Sequence, residues 1–352
     1  MNNTHQPKKL AIIYILRILQ EHSNKEHTLT QAKIAELVEE EYGMSLDRKS
    51  IRHNLSKLIE AGYPLRYREE KNTRMGANGI EQTILTDWYY DHEYRFDISE
   101  LQVMIDSLLF SNCLPPRQCR DLIRKIADLG SKEDRKRLSS SVNTVINRNA
   151  NRSIFYTISQ IGEAITSRKQ VSFHYCDIDI KFKPVMRCDD NGKVRSYTVS
   201  PYKLLSLNGR YYMLCSDDTH DGIAAYRLDR ITDICLLDTK QRPIITIDGY
   251  KNGLDLAAFV NEHPNMWGGE VSRCTFICHE YLMNDITDWF GTDTTRIRRK
   301  PKGMIEAVVL VSEDAMVRWA VQYAESVEVI SPVRVRERIR KILTEAAHKY
   351  NG

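Results

Sequence analysis

The sequence predicts a multidomain α+β chain. Three observations lead there: helical periodicity that ends in a short hairpin near the start, short alternating strands with tight turns in the middle, and strands mixed with helices at the end. With 352 residues there is room for two or three domains, each able to bury its own core. Hydrophobic residues make up 42% and charged residues 28%, a globular rather than a disordered composition. The apolar stretch 10–19 is broken by Arg17 and is far shorter than the ~20 residues of a membrane span, so neither a span nor a secretory signal is expected there. Eight cysteines scattered singly do not form a disulfide framework, which points to a reducing cytoplasm.

The first helix is expected over 8–23, where Leu10, Ile13, Tyr14, Arg17 and Ile18 keep a 3.6-residue rhythm. Thr30 is a good N-cap for a second helix that buries Ile34, Leu37 and Val38 and stops near Gly43. Asp47 caps a third, running to Gly62 with Ile51, Leu55, Leu58 and Ile59 apolar. Extended segments 63–68 and 80–85 follow, separated by a polar stretch. Three helices and a hairpin in this order make a winged helix, expected over 8–92. Helical spacing returns over 97–153, punctuated by Pro115, Pro116 and Gly130, and is read as a helical connector that also packs.

After one more helix ending near Arg168, strands are expected at 171–175, 181–185, 197–207, 210–215 and 224–228. Asn208-Gly209 between two of them is a strong hairpin signal, since both turn positions need positive φ. Five short strands with tight turns suggest a small β-barrel over 154–240. The remainder, 270–352, mixes strands at 272–279 and 304–311 with helices at 283–290, 313–323 and 333–349, an α+β extension.

Net charge is only +4, but it is unevenly spread. Between positions 44 and 74, Arg48, Lys49, Arg52, Lys57, Arg66, Arg68, Lys71 and Arg74 face only Asp47, Glu60, Glu69 and Glu70, which puts +4 in that segment alone. A second cluster, Arg296, Arg298, Arg299, Lys300 and Lys302, contains no acid. Two basic surfaces suggest a polyanionic partner. In a winged helix the third helix enters the major groove, so Arg48, Lys49, Ser50, Arg52 and His53 are candidate DNA contacts at its N-terminal half. Arg66, Arg68, Lys71 and Arg74 are candidate phosphate contacts on the wing.

Signals for catalysis are missing. The chain has no GxSxG elbow, HExxH, GxxxxGK[ST] loop or GxGxxG, and its paired aspartates fall at expected turns, so an enzyme is not expected and no cofactor or metal ligand is assigned. Cys274, Phe276 and Cys278 share one face of a strand and are read as core rather than as a metal site.

The middle region carries a more specific pattern. Phe173-His174-Tyr175, a proline-bearing strand at Tyr197 to Leu205, the hairpin Arg210-Tyr211-Tyr212-Met213-Leu214 and the run Arg227-Leu228-Asp229-Arg230-Ile231 together resemble the WYL-domain family of bacterial regulators. Tyr211-Tyr212-Met213 stands at the namesake tripeptide, and Ala224 stands where family members often carry an arginine. Phe290-Gly291, Trp319 and the segment 327–332 look like the C-terminal extension called WCX. The resemblance implies a winged helix-turn-helix, an Sm-like (SH3-like) barrel that senses a ligand, and the WCX extension. It also implies Tyr175, Ser200, Tyr202, Tyr212, Arg227 and Arg230 as ligand contacts.

The resulting expectation is a dimeric, ligand-responsive transcriptional regulator. Its partners would be double-stranded operator DNA and, at the WYL domain, single-stranded DNA, RNA or a nucleotide, recognised by arginine forks and stacking rings. The alternative is a nucleic-acid-binding accessory protein of a CRISPR or other phage-defence effector.

Overall fold

A computed structural model describes residues 8–72, 82–92, 96–111, 114–139, 153–292 and 295–351. The chain divides into two compact units, Met1–Ala150 and Asn151–Gly352. Both mix helices with sheets, so the α+β class expected from the sequence is what forms.

The first unit begins with α1 (Ala11–His22), α2 (Gln31–Tyr42) and α3 (Arg48–Glu60). Thr30 caps α2 by accepting from the Lys33 amide at 3.2 Å, and Gly43, at φ +63°, ends it in the left-handed conformation. One apolar stripe from each helix meets in a common core: Ile15, Ile18 and Leu19, then Ile34 and Val38, then Ile51, Leu55 and Leu58. Strands β1 (Leu65–Asn72) and β2 (Gln82–Tyr90) pair antiparallel. Their register slips between Arg66 and Arg68, opposite Asp87, whose φ is +54°. That bulge turns Trp88 into the core, where it is 1% exposed, and its backbone pairs with Leu29 in a single antiparallel bridge. α4 (Ile98–Leu109), α5 (Pro116–Ala127) and α6 (Lys132–Ser139) follow, and α4 opens on a capping box of Asp97 and Glu100. They close over Leu101, Ile105, Cys119, Ile123, Ala127 and Leu138.

The second unit opens with α7 (Ile154–Ser167), whose Ile154, Thr157, Ile161 and Ala164 are buried, and then a six-stranded sheet. Its strands are β3 (Lys169–Ile178), β4 (Pro184–Met186), β5 (Ser196–Leu207), β6 (Arg210–Ser216), β7 (Ala224–Arg227) and β8 (Ile231–Lys240). β5 pairs with β3 through Val199 and with β6 from Ser200 onward, bending at a bulge next to Pro201, a residue that cannot donate to a ladder. Asn208 and Gly209 take φ of +50° and +71°, as the hairpin signal requires. The closed barrel expected from the sequence does not form. β8 pairs with β3, and among the described residues nothing pairs β7 with β8. β7 is four residues long and runs straight into a 3-10 turn, Leu228–Arg230, which leaves no strand length to close the gap.

The chain then continues through α8 (Leu256–Glu262) to β9 (Val271–His279), α9 (Met283–Phe290), β10 (Arg296–Lys300), β11 (Met304–Ser312), α10 (Glu313–Gln322), β12 (Val327–Ser331) and α11 (Val333–Asn351). This split βαβ order gives an antiparallel sheet β10-β11-β9-β12. Cys274, Phe276 and Cys278 are fully buried against Ile286, Phe290, Met316 and Trp319, so the cysteines are core, as their strand spacing implied. Among the described residues no helix is long and apolar enough to cross a membrane.

Candidate functional site

The basic face of α3 is built by its caps. Asp47 Oδ1 accepts from the Ser50 amide at 2.7 Å and fixes where the helix starts. Burial of Ile51, Leu55 and Leu58 then fixes its rotation. Arg48, Lys49, Arg52 and His53 are consequently exposed, and among the described residues none of them has an ion-pair partner. Ser50 is half-buried. The hairpin cations differ: Arg66 pairs at 3.0 Å with Asp91, just past the end of β2, and Arg68 at 3.6 Å with Asp87 on β2. The side chain of Lys71 and all of Arg74 lie outside the described residues.

A second constellation surrounds Tyr175. Phe173, Tyr175, Tyr197 and Tyr226 form one aromatic cluster with centroids 5.2 to 6.4 Å apart. The buried Tyr175 hydroxyl accepts from the Arg227 amide at 3.2 Å. Burial raises the pKa of this phenol, against the opposing effect of that amide. Arg187 lies over the Tyr175 ring at 4.9 Å and Arg195 over the Tyr197 ring at 5.0 Å. Arg227 forks onto Asp229, with Nε to Oδ1 at 3.0 Å and Nη2 to Oδ2 at 2.6 Å. Arg187 grips Asp177 in the same two-pronged way at 2.8 and 3.0 Å and holds that carboxyl below its usual range. Arg230 reaches Asp177 at 3.5 Å, while its buried Nε has no hydrogen-bond partner among the described residues.

Three arginines thus converge on Tyr175 with two carboxylates between them. Arg227 and Arg230 were legible in the sequence, whereas Arg187 and Arg195 were not. Tyr212 is buried directly opposite Arg227 in the β6–β7 register. Ser200 and Tyr202 belong elsewhere. The Ser200 hydroxyl accepts from the Arg242 amide at 2.9 Å and from Gln170 at 3.3 Å. The Tyr202 hydroxyl bonds Ser216 at 2.7 Å and donates to the Arg242 carbonyl at 2.8 Å. These partners are different from those of Arg227 and Arg230, and they tie β5 and β6 to the segment after β8.

Ala224 is exposed on a cleft of about 600 Å³ whose walls include Arg195, Tyr197, Tyr226, Asp217 and His220. Among the described residues one trio, Glu21, His22 and Glu41, brings potential metal-ligand atoms within 4.8 Å of one another, although no metal ligand was expected from the sequence. His22 and Glu41 are already bonded at 2.6 Å.

Comparison with known domains settles the second unit. The WYL domain matches residues 156–236, which carry the aromatic cluster and both signature arginines, and the WCX domain matches residues 276–347. The chain carries a WYL domain followed by a WCX domain. Its WYL domain runs from α7 into β8, and its WCX domain from within β9 into α11. No curated protein matches the chain. Solved structures similar to it include proteasome accessory factor B/C (PafBC) of Arthrobacter aurescens, at 14% identity and a TM-score of 0.31, covering 100% of this chain and 51% of that one. The chain thus spans about half the length of that relative. A CRISPR Cas-related protein is similar at 15% identity and a TM-score of 0.36, covering 97% of this chain and 84% of that one. Both scores are too low to carry over an arrangement or a role.

Proposed function

We propose that this WYL-domain protein is a DNA-binding transcriptional regulator that acts by binding rather than catalysis. The reading rests on one observation above all: the N-terminal half of α3 exposes Arg48, Lys49, Arg52 and His53, and among the described residues none of them is held in an ion pair. A short capped helix before it and a hairpin after it are the parts of a winged helix, which docks its third helix in the major groove. The hairpin arginines must first let go of Asp91 and Asp87. Exposed pairs of that kind are worth about 0–1 kcal/mol, so they can be exchanged for phosphates at small cost.

The WYL domain, in this reading, is an open Sm-like module that senses a phosphate-bearing ligand, a nucleotide or a short single strand. Arg227 and Arg230 supply forks for phosphate, and Tyr175 with Tyr212 lines the arginines from below. Arg195 provides the cation of the neighbouring cleft that Ala224 does not. A homodimer on a palindrome would add two half-site energies through effective concentration. The test is footprinting of the full chain on its own promoter, with and without short oligonucleotides. A protected palindrome that is lost in R48A/K49A/R52A is expected; protection that survives the triple substitution would overturn the assignment of α3.

A further inference from the structure

The second basic cluster lies on β10, at the edge of the WCX sheet. One side of this strand pairs with β11, and among the described residues no strand pairs with the other. Alternation sends Arg296, Arg298 and Lys300 to one face, about 6.7 Å apart. Across the ladder they form rows with their neighbours: Arg296 beside Val308 and Thr275, Arg298 beside Glu306 and Ile277, Lys300 beside Met304 and His279. Two acids serve this strand. Glu306 takes Lys300 at 2.9 Å, and Glu280 takes Arg299 at 2.7 Å. Arg296, Arg298 and Lys302 are exposed and have no ion-pair partner among the described residues.

A basic edge strand has an ordinary use, since charge on an unpaired edge discourages pairing with another chain. One or two charges suffice for that. Here the row of cations leads to an aromatic platform. His279, at the end of the Lys300 row, stacks on Tyr281 at 5.6 Å with the rings 16° apart. Tyr281 is 65% exposed although its hydroxyl is tied to the Ser326 hydroxyl, which holds the ring in place. Unpaired Arg296 and Arg298 along the strand, Lys302 in the turn after it, and a fixed exposed ring next to the residue that this turn bonds, match the phosphates and bases of one strand. A duplex offers phosphates but keeps its bases stacked inside.

We propose that β10 and Tyr281 form a single-stranded nucleic-acid site, with Arg296, Arg298 and Lys302 on the phosphates and a base stacked on Tyr281. This site goes beyond the proposed regulator function and is independent of both α3 and Arg227. Its test is fluorescence anisotropy of the full chain with labelled oligothymidylate and oligouridylate of about 16 nucleotides. R296E/R298E should weaken binding about tenfold or more, and R296A/R298A should lower the salt slope by about 1.4, at roughly 0.7 per phosphate on a single strand. R296K/R298K should bind nearly as the parent does. Tyr281→Ala should cost about tenfold. A loss on either oligomer supports the site, and the tighter oligomer tells whether the strand is DNA or RNA. R296E/R298E that binds as well as the parent overturns it. So does Tyr281→Ala without effect, because β10 would then be a general polyanion patch. Arg227→Ala in the same assay reports on the WYL pocket alone, so either site can fail while the other stands.

Discussion

Removing the same kind of charge from α3 and from the hairpin should have unequal consequences, because one set is free and the other is paired. In R48A/K49A/R52A three exposed cations disappear and no ion pair among the described residues is broken. Stability should therefore stay within about 0.5 kcal/mol per site. If each side chain neutralises one phosphate, the slope of log K against log salt falls by about 2.7, at roughly 0.9 per contact on duplex DNA. R66A/R68A deletes two cations, yet each already faces a carboxylate, Asp91 at 3.0 Å and Asp87 at 3.6 Å. When such an arginine turns to a phosphate, the carboxylate it leaves behind holds back part of its charge, so less of the phosphate is neutralised and fewer of the cations condensed on the DNA are released. The fall should stay well short of the about 1.8 that two free cations would give. The assay is a salt titration of duplex affinity by mobility shift on parent and both variants, with urea denaturation to verify the fold. Equal losses per charge in the two variants would refute the distinction between free and paired cations, and an unchanged slope in the triple variant would refute DNA binding through α3.

Further outcomes follow from the same geometry. Arg227→Lys should weaken oligonucleotide or nucleotide binding to the WYL domain in calorimetric titrations, because lysine keeps the charge but not the planar fork; equal affinity would show that Arg227 acts as a point charge only. Asp47→Ala removes the cap of α3 and should cost about 1 kcal/mol in urea unfolding, with weaker duplex binding beside it. A change within error would mean that packing alone fixes the helix start. Burial opposes ionisation of Asp217, but hydrogen bonds from Thr219 and His220 outweigh it and hold the carboxyl at about 2. The unfolded carboxyl titrates near about 3.9, so its contribution is complete above that pH and is lost as the pH falls towards 2. Asp217→Asn should flatten the acid limb of the stability curve in that window, and parallel curves would show that Asp217 is not the group responsible.

Sequence patterning revealed the fold wherever one face of an element is buried and regular. α2 and α3 start where Thr30 and Asp47 place them, and β5 turns into β6 at Asn208-Gly209. Irregular pairing hid the rest. In β8 the buried residues are Ile231 and Ile234, three apart, because its ladder with β3 slips twice and Asp233 sits at φ +51°. A strand with that spacing shows no alternation to find. β10 hid differently: four of its five residues are basic, and an edge strand exposed along its length buries no face that could leave a period. The pairing of β8 with β3, the last strand of the sheet with the first, is carried by no local signal, and neither is the gap left between β7 and β8.

At the candidate sites the sequence showed where charge is, and the structure shows which of it is already engaged. Arg48 and Arg66 look alike as letters in one basic segment, but Arg66 meets Asp91, a residue 25 positions away that only the hairpin brings near. Arg227 and Asp229 are two apart and could have been paired by eye. Arg187 could not, because its place over Tyr175 depends on the β3–β4 hairpin that also sets its fork on Asp177. The same pairing makes the WYL arginines poor nonspecific anchors. A ligand that takes Arg227 must match what Asp229 already gives it, two oxygens in the plane of the guanidinium. A phosphate does so, and diffuse negative charge does not. In the proposed sensing role, a ligand that binds there has to displace Asp229 as well as contact Arg227, and the freed carboxylate, only 11% exposed within the 3-10 turn that leads into β8, is the group whose movement would report occupancy to the rest of the domain.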